Sequence, residues 1–301
     1  MKIPATLNAC AAALANLGYH VLTSAERGQV TGTFPVKNLA AFIAVNDEHQ
    51  SIEATFVLPG HVAEEMSALA FSSALQRHSL GVCRFIIYQG QVLAKASMFA
   101  SEGLTDGQVQ AWWNSSVRDV ELWHREASKH KLIKAKGSAA IPDYLQLGTD
   151  VTDVFTDEPA ADEETTSQVT PLRVARSLAQ FTGSMPLVRS TETAQIVETS
   201  IADQAVDIEV NDGALRFIIG SALSSKPGLS EALAQTINQL HVLEPAPAAY
   251  VLDSGEYLEM YTRGVVDTSM GLDDASLTTV IQKWGPYVHD FNERIFTTLQ
   301  S

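Results

Sequence analysis

The residues of this chain that could do chemistry are eight histidines, two cysteines and a few adjacent acid pairs. A zinc site on a helix needs ligands three or four positions apart, so that they share a face. His124 and His130 are six apart and fall on different sides of a helix. There is no H-E-x-x-H and no cysteine pair at metal-binding spacing. His61 and His78 flank a helical stretch and read as solvated helix-end residues. Cys10 and Cys83 lie in apolar runs with no base nearby in sequence, the pattern of buried, inert thiols. Glu64-Glu65, Glu163-Glu164 and Asp273-Asp274 are neighbours in sequence, and neighbours on a helix point about 100° apart. Such pairs suit helix starts or solvent better than acid–base catalysis, which needs two carboxyls aimed into one pocket. Neither G-x-G-x-x-G nor G-x-x-x-x-G-K-[ST] occurs, so no backbone cradle for phosphate is encoded. Ser269-Met270-Gly271 resembles a nucleophile elbow but lacks the leading glycine. The expectation is a chain with no catalytic residues, no metal and no cofactor.

Composition narrows the partners. The 301 residues carry a net charge of −15, and such a surface repels nucleic acid. No apolar run reaches the roughly 18 residues that suggest a membrane span. Met1-Lys2-Ile3-Pro4 makes a poor start for a signal peptide, and two cysteines suit a reduced, cytoplasmic setting. The hydrophobic fraction of 46% supplies material for real cores.

The elements that must position these residues appear twice. Seven acids and no base lie between Asp150 and Glu164, which reads as an exposed acidic linker over 131–168 between domains at 1–130 and 169–301. Landmarks recur across it. Leu7 and Leu172 open helical stretches that end at Gly18 and Gly183. Pro59-Gly60 matches Pro227-Gly228, and Gly90 matches Gly255. Gly103-Leu104-Thr105-Asp106 matches Gly271-Leu272-Asp273-Asp274. The offsets are 165 or 168 throughout, the mark of a tandem repeat.

In the first half, helical periodicity covers 5–17, 61–76 and a long stretch after Thr105, where Gln108 completes a capping box. β-favouring runs fall at 29–36, 40–46 with a turn at Asn46-Asp47, 51–58, 82–88 and 91–99. In the second half strands fall near 193–200, 204–210 and 214–221, with a hairpin turn at Asn211-Asp212-Gly213. A helix over 230–241, strands at 248–253 and 256–262, and a last helix capped by Asp273 or Asp274 follow; Pro286 should kink that helix. The predicted fold is α+β: two α-β-β-β-α-β-β-α units, each a five-stranded antiparallel sheet with helices mainly on one face.

An aromatic stripe marks the last helix of each unit: Trp112, Trp113 and Trp123 in the first, Trp284, Tyr287 and Phe291 in the second. Trp112 and Trp113 are adjacent, so either one packs on its sheet and the other is exposed or bridges to the second unit, or both are partly buried within one domain. All six are candidates for an interaction surface. Phe85, Ile86, Ile87 and Tyr88, and likewise Ile218 and Ile219, place apolar side chains on both sheet faces. A second layer is therefore expected, either an internal pseudo-dimer of the two units or a homodimer.

The element order, the hairpin around a polar-Gly turn and the Gly-Leu-(Thr/Asp)-Asp entry to a long final helix resemble the bacterial YbjN-like family, related in fold to the type III secretion (Tir-type) chaperones. The resemblance covers nearly all of 1–130 and 169–301. It implies a non-enzymatic α+β module that binds another protein segment or acts as a regulator, here with two units on one chain instead of a homodimer of one. It places no functional residues. The alternative expectation is a sensor or regulatory protein that closes on a small molecule between the units.

Overall fold

Gly18 and Gly183, 165 positions apart, both take left-handed backbone, φ 84° and 75°, and end the first helix of each half. The structure is a computed structural model that describes residues 5–24, 29–33, 40–46, 51–78, 82–99, 105–134, 151–154, 167–192, 194–211, 213–243 and 247–300. The first series of elements is α1 (Ala5–Asn16), β1 (His20–Ser24), β2 (Gln29–Thr33), β3 (Ala40–Asn46), β4 (Ser51–Val62), α2 (Glu65–His78), β5 (Cys83–Tyr88), β6 (Gln91–Phe99), α3 (Asp106–Lys129), β7 (Ile133–Lys134) and β8 (Val151–Val154). The second is α4 (Pro171–Thr182), β9 (Leu187–Ser190), β10 (Gln195–Ile201), β11 (Gln204–Asn211), β12 (Ala214–Ser224), α5 (Leu229–Leu243), β13 (Ala248–Asp253), β14 (Tyr257–Asp267) and α6 (Asp274–Gln300). Two compact units emerge, Met1–Ala68 with Phe85–Glu164, and Leu69–Arg84 with Thr165–Ser301.

The chain is α+β with two antiparallel sheets. Their orders are β5-β6-β4-β3-β2-β1-β8, with β7 on β4, and β13-β14-β12-β11-β10-β9. Reading the first six strands of each, the order is the same. Each half carries one strand more than the five expected, β1 or β9. Both are short runs directly after the helix stop, too brief for alternation to announce them. Segment 131–168, expected as linker throughout, contributes β7 and β8. Most of its acids, together with Asp47, Gly103, Leu104 and Asp212, lie outside the described residues.

The final helices show the repeat at side-chain level. Val109, Trp112, Trp113, Ser116, Val120, Trp123 and Ala127 are buried in α3. Leu277, Val280, Ile281, Trp284, Val288, Phe291 and Ile295 are buried in α6, each 168 positions later. Both helices begin with caps. Thr105 and Gln108 form the expected capping box. Asp273 accepts from the backbone N–H of Ser276 at 2.7 Å. Helix α6 continues through Pro286 to Gln300.

In the second sheet, burial alternates. Val206, Ile208 and Val210 of β11 and Leu215, Phe217 and Ile219 of β12 face the core, while Asp207, Glu209, Arg216 and Ile218 are half-buried on the other face. Leu233, Ile237 and Leu240 of α5 close the core with Leu258, Met260, Phe291 and Ile295. In the first sheet both faces are buried: every residue from Cys83 to Ile87, and Thr55 and Val57 as well as Ala54, Phe56 and Leu58. The face away from α3 holds a buried ion pair, Lys95 Nζ to Glu53 Oε1 at 3.1 Å.

Candidate functional site

Most of the aromatic stripe lies in the cores, which corrects its assignment as interaction surface. Trp112, Trp113, Trp123, Trp284 and Phe291 are all buried, and Tyr287 is half-buried. Trp113 meets Phe56 with centroids 5.0 Å apart, Trp123 stacks on Phe85 at 5.5 Å, and Phe291 stacks on His241 at 5.3 Å. Trp112 and Trp113 touch edge to face and are both buried, so neither is the exposed indole that one of the two expectations allowed. The buried arc of α3 is wide enough to take two neighbouring indoles.

The chemistry-bearing residues are likewise accounted for locally. Burial pushes the Cys10 thiol up to about 12, and Cys83 is buried too. Ser269 bonds Asp267 through both its hydroxyl and its backbone N–H, a local turn. His241 meets the carbonyl of Pro247 at 3.0 Å, and His289 pairs with Gln204. Glu64 accepts from Ser67 at its helix start. Among the described residues no three His, Cys, Asp or Glu side chains gather as a metal site.

What the sequence reading missed is an exposed sheet edge. Strand β9 ends the second sheet, and all four of its residues are exposed. Leu187 is 64% exposed and Val188 43%, and just before the strand Met185 is 61% exposed and Phe181 50%. Exposed edges with apolar residues are templates for another strand. The opposite terminal strand, β13, differs: Ala248, Ala249 and Tyr250 are buried.

The equivalent edge of the first sheet is covered. There β8 pairs antiparallel with β1, matching Val21 with Val154, Leu22 with Asp153, Thr23 with Thr152 and Ser24 with Val151. Val21, Thr23 and Ser24 are accordingly buried. Leu22 pairs inward with Thr31, and Leu187 with Glu198, so each edge strand is held on one side by the next strand of its sheet. Among the described residues nothing does for β9 what β8 does for β1.

One cation stands on β9. Arg189 forms ion pairs with Glu198 and, at 3.3 Å, with Asp207. Burial raises the Asp207 carboxyl above its ordinary value, against the pull of Arg189. Beyond the end of β9 lies an open cleft of about 380 Å³, lined by uncharged polar groups including Thr170, Thr191, Gln195 and Asn211, with Val169 and Val210 in its wall. Among the described residues no helix is long and apolar enough to cross a membrane. No protein-family model, curated protein or solved structure matches the chain.

Proposed function

We propose that the chain is a non-enzymatic, chaperone-like or regulatory protein-binding module that captures an extended segment of another polypeptide by strand addition at β9. The observation that carries this reading is the contrast between two equivalent edges, β1 covered by β8 and β9 exposed with Leu187 and Val188 on it. Main-chain hydrogen bonds along an edge give affinity with little sequence demand. The resemblance to YbjN-like and secretion-chaperone proteins points the same way. A cytoplasmic setting goes with it, since two buried cysteines in 301 residues suit a reducing compartment.

The test is amide hydrogen exchange on the full chain with a panel of extended peptides. Binders should slow exchange at 187–190 and lose affinity in Leu187→Lys, a change at an exposed position that leaves the fold intact. If no peptide protects 187–190, the reading is wrong.

A second reading, a small-molecule sensor, is favoured by the cleft near Thr191 and Asn211, whose walls suit a neutral hydroxylated or amide ligand. A rise in melting temperature with such a compound, abolished by Asn211→Leu, would support it.

A further inference from the structure

We infer that Arg189, Glu198 and Asp207 form a pH-sensitive latch on the edge strand β9: as pH falls, Asp207 takes up a proton, its repulsion of Glu198 ends, and Arg189 closes on Glu198 alone, drawing β9 onto β10. This goes beyond strand addition and does not depend on it. The three side chains share the face of the second sheet turned away from its core. Glu198 and Asp207 stand directly opposite each other on β10 and β11, a placement in which like charges repel. Arg189 stands opposite Ile196 and so diagonal to Glu198. Its one guanidinium serves both carboxylates, Glu198 through Nε and Asp207 through an Nη at 3.3 Å.

The neighbouring strands bring further charges to this face. Glu209 lies two residues along β11 from Asp207, and Arg216 of β12 stands opposite Glu209 and bonds it at 3.2 Å. Opposite Asp207 on β12 is the apolar Ile218, and beyond that Arg263 of β14, which lies over the ring of Tyr250. Glu198, Asp207 and Glu209 thus share Arg189 and Arg216, three acids to two bases, an excess of one negative charge. One proton neutralises it. Partial burial, together with Glu198 and Glu209, holds the Asp207 carboxyl above its ordinary value despite Arg189. A carboxyl raised in the folded state binds its proton more tightly there than in the unfolded chain. Its ionisation therefore costs stability above the folded value. That stability returns as pH falls through the folded value and is complete below the unfolded one. Arg189 and Asp207 are both partly exposed, so the effect has the scale of a screened surface pair.

The test is a carbon-13 titration of the side-chain carboxyls in the full-length protein, with melting curves of the wild type, Asp207→Asn and Arg189→Gln. Asp207 should titrate above about 3.9, the ordinary aspartate value. Asp207→Asn mimics the protonated latch. It should melt about 1–2 °C above the wild type at pH 7, and the gap should close towards about pH 4. Arg189→Gln should raise the Asp207 midpoint further and lower the melting temperature at pH 7, because the two carboxylates lose their shared cation. Amide exchange at 187–190, corrected for its intrinsic pH dependence, should slow between pH 7 and about pH 5 in the wild type and stay level in Asp207→Asn. An Asp207 midpoint at or below the ordinary value, or an Asp207→Asn variant no more stable than the wild type at pH 7, overturns the proton uptake. Exchange at 187–190 that fails to slow in acid overturns the latch. Neither result bears on whether a peptide adds to β9, so the two readings fail separately.

Discussion

Trp284 of α6 lies directly on the backbone of Gly264 in β14, where a Cβ would overlap indole atoms Cε3 and Cζ3. At the positions 168 earlier stand Ser116 and Ala96, both buried. The first unit instead places an indole at Trp113, where the second has Ile281. The two cores thus place bulky groups differently on one backbone plan. Gly264→Ala should destabilise the protein by about 1–3 kcal/mol through overpacking. Combined with Trp284→Ser, it should cost clearly less than the two single changes added together, which a double-mutant cycle in urea measures. Strict additivity would contradict the packing argument.

The Lys95–Glu53 pair lies on the face away from α3, with Lys95 buried and Glu53 half-buried, so removing one partner leaves a charge where water is scarce. Glu53→Gln should therefore cost more stability than Glu53→Leu with Lys95→Met, which removes both charges at once. Denaturation midpoints of the three variants decide it. Equal losses for the single and double variants would refute a net desolvation cost.

Cys10 should be unreactive in the native state. With its thiol near 12, roughly one part in ten thousand is thiolate at pH 8. Modification by a thiol reagent should follow the rate of global unfolding and rise with denaturant in step with it. Rapid labelling without denaturant would contradict the buried placement.

Hydrogen bonding from the Ser276 backbone holds the Asp273 carboxyl below its ordinary value, although partial burial opposes it. A depressed folded-state pKa contributes stability above the unfolded value and loses it as pH falls through the folded one. Asp273→Ala should therefore cost about 1 kcal/mol near neutrality, and its deficit should shrink in the acid range below the ordinary carboxylate value. Melting temperatures from pH 7 down to pH 2 measure this. A constant gap would rule out the cap as its source.

Much of this architecture was legible in the sequence because it rests on local rules. The Thr105–Gln108 box, the glycines at 18, 183, 90 and 255, and the 3.6-residue periodicity of the last helices each declare themselves within a few residues. The depth of Trp112 and Trp113 was not legible, since adjacent positions on one helix say nothing about how wide the cover above them is. Strands β1 and β9 were missed because pairing, not periodicity, makes them strands. The edge itself could be seen only by comparing what each sheet does with its last strand. Val151–Val154 sits in an acidic stretch that composition marks as solvated, and only the ladder to β1 reveals its role.

The account turns on β9 being an available edge and β1 an occupied one. Amide exchange on the full chain without any partner tests this directly, residue by residue. The account predicts that Val21–Ser24 exchange slowly, protected on both sides by β2 and β8, while the outward amides of Leu187–Ser190 exchange close to the rate of unstructured chain. Equal, strong protection of Leu187–Ser190 would mean that the edge is already closed and would contradict the account.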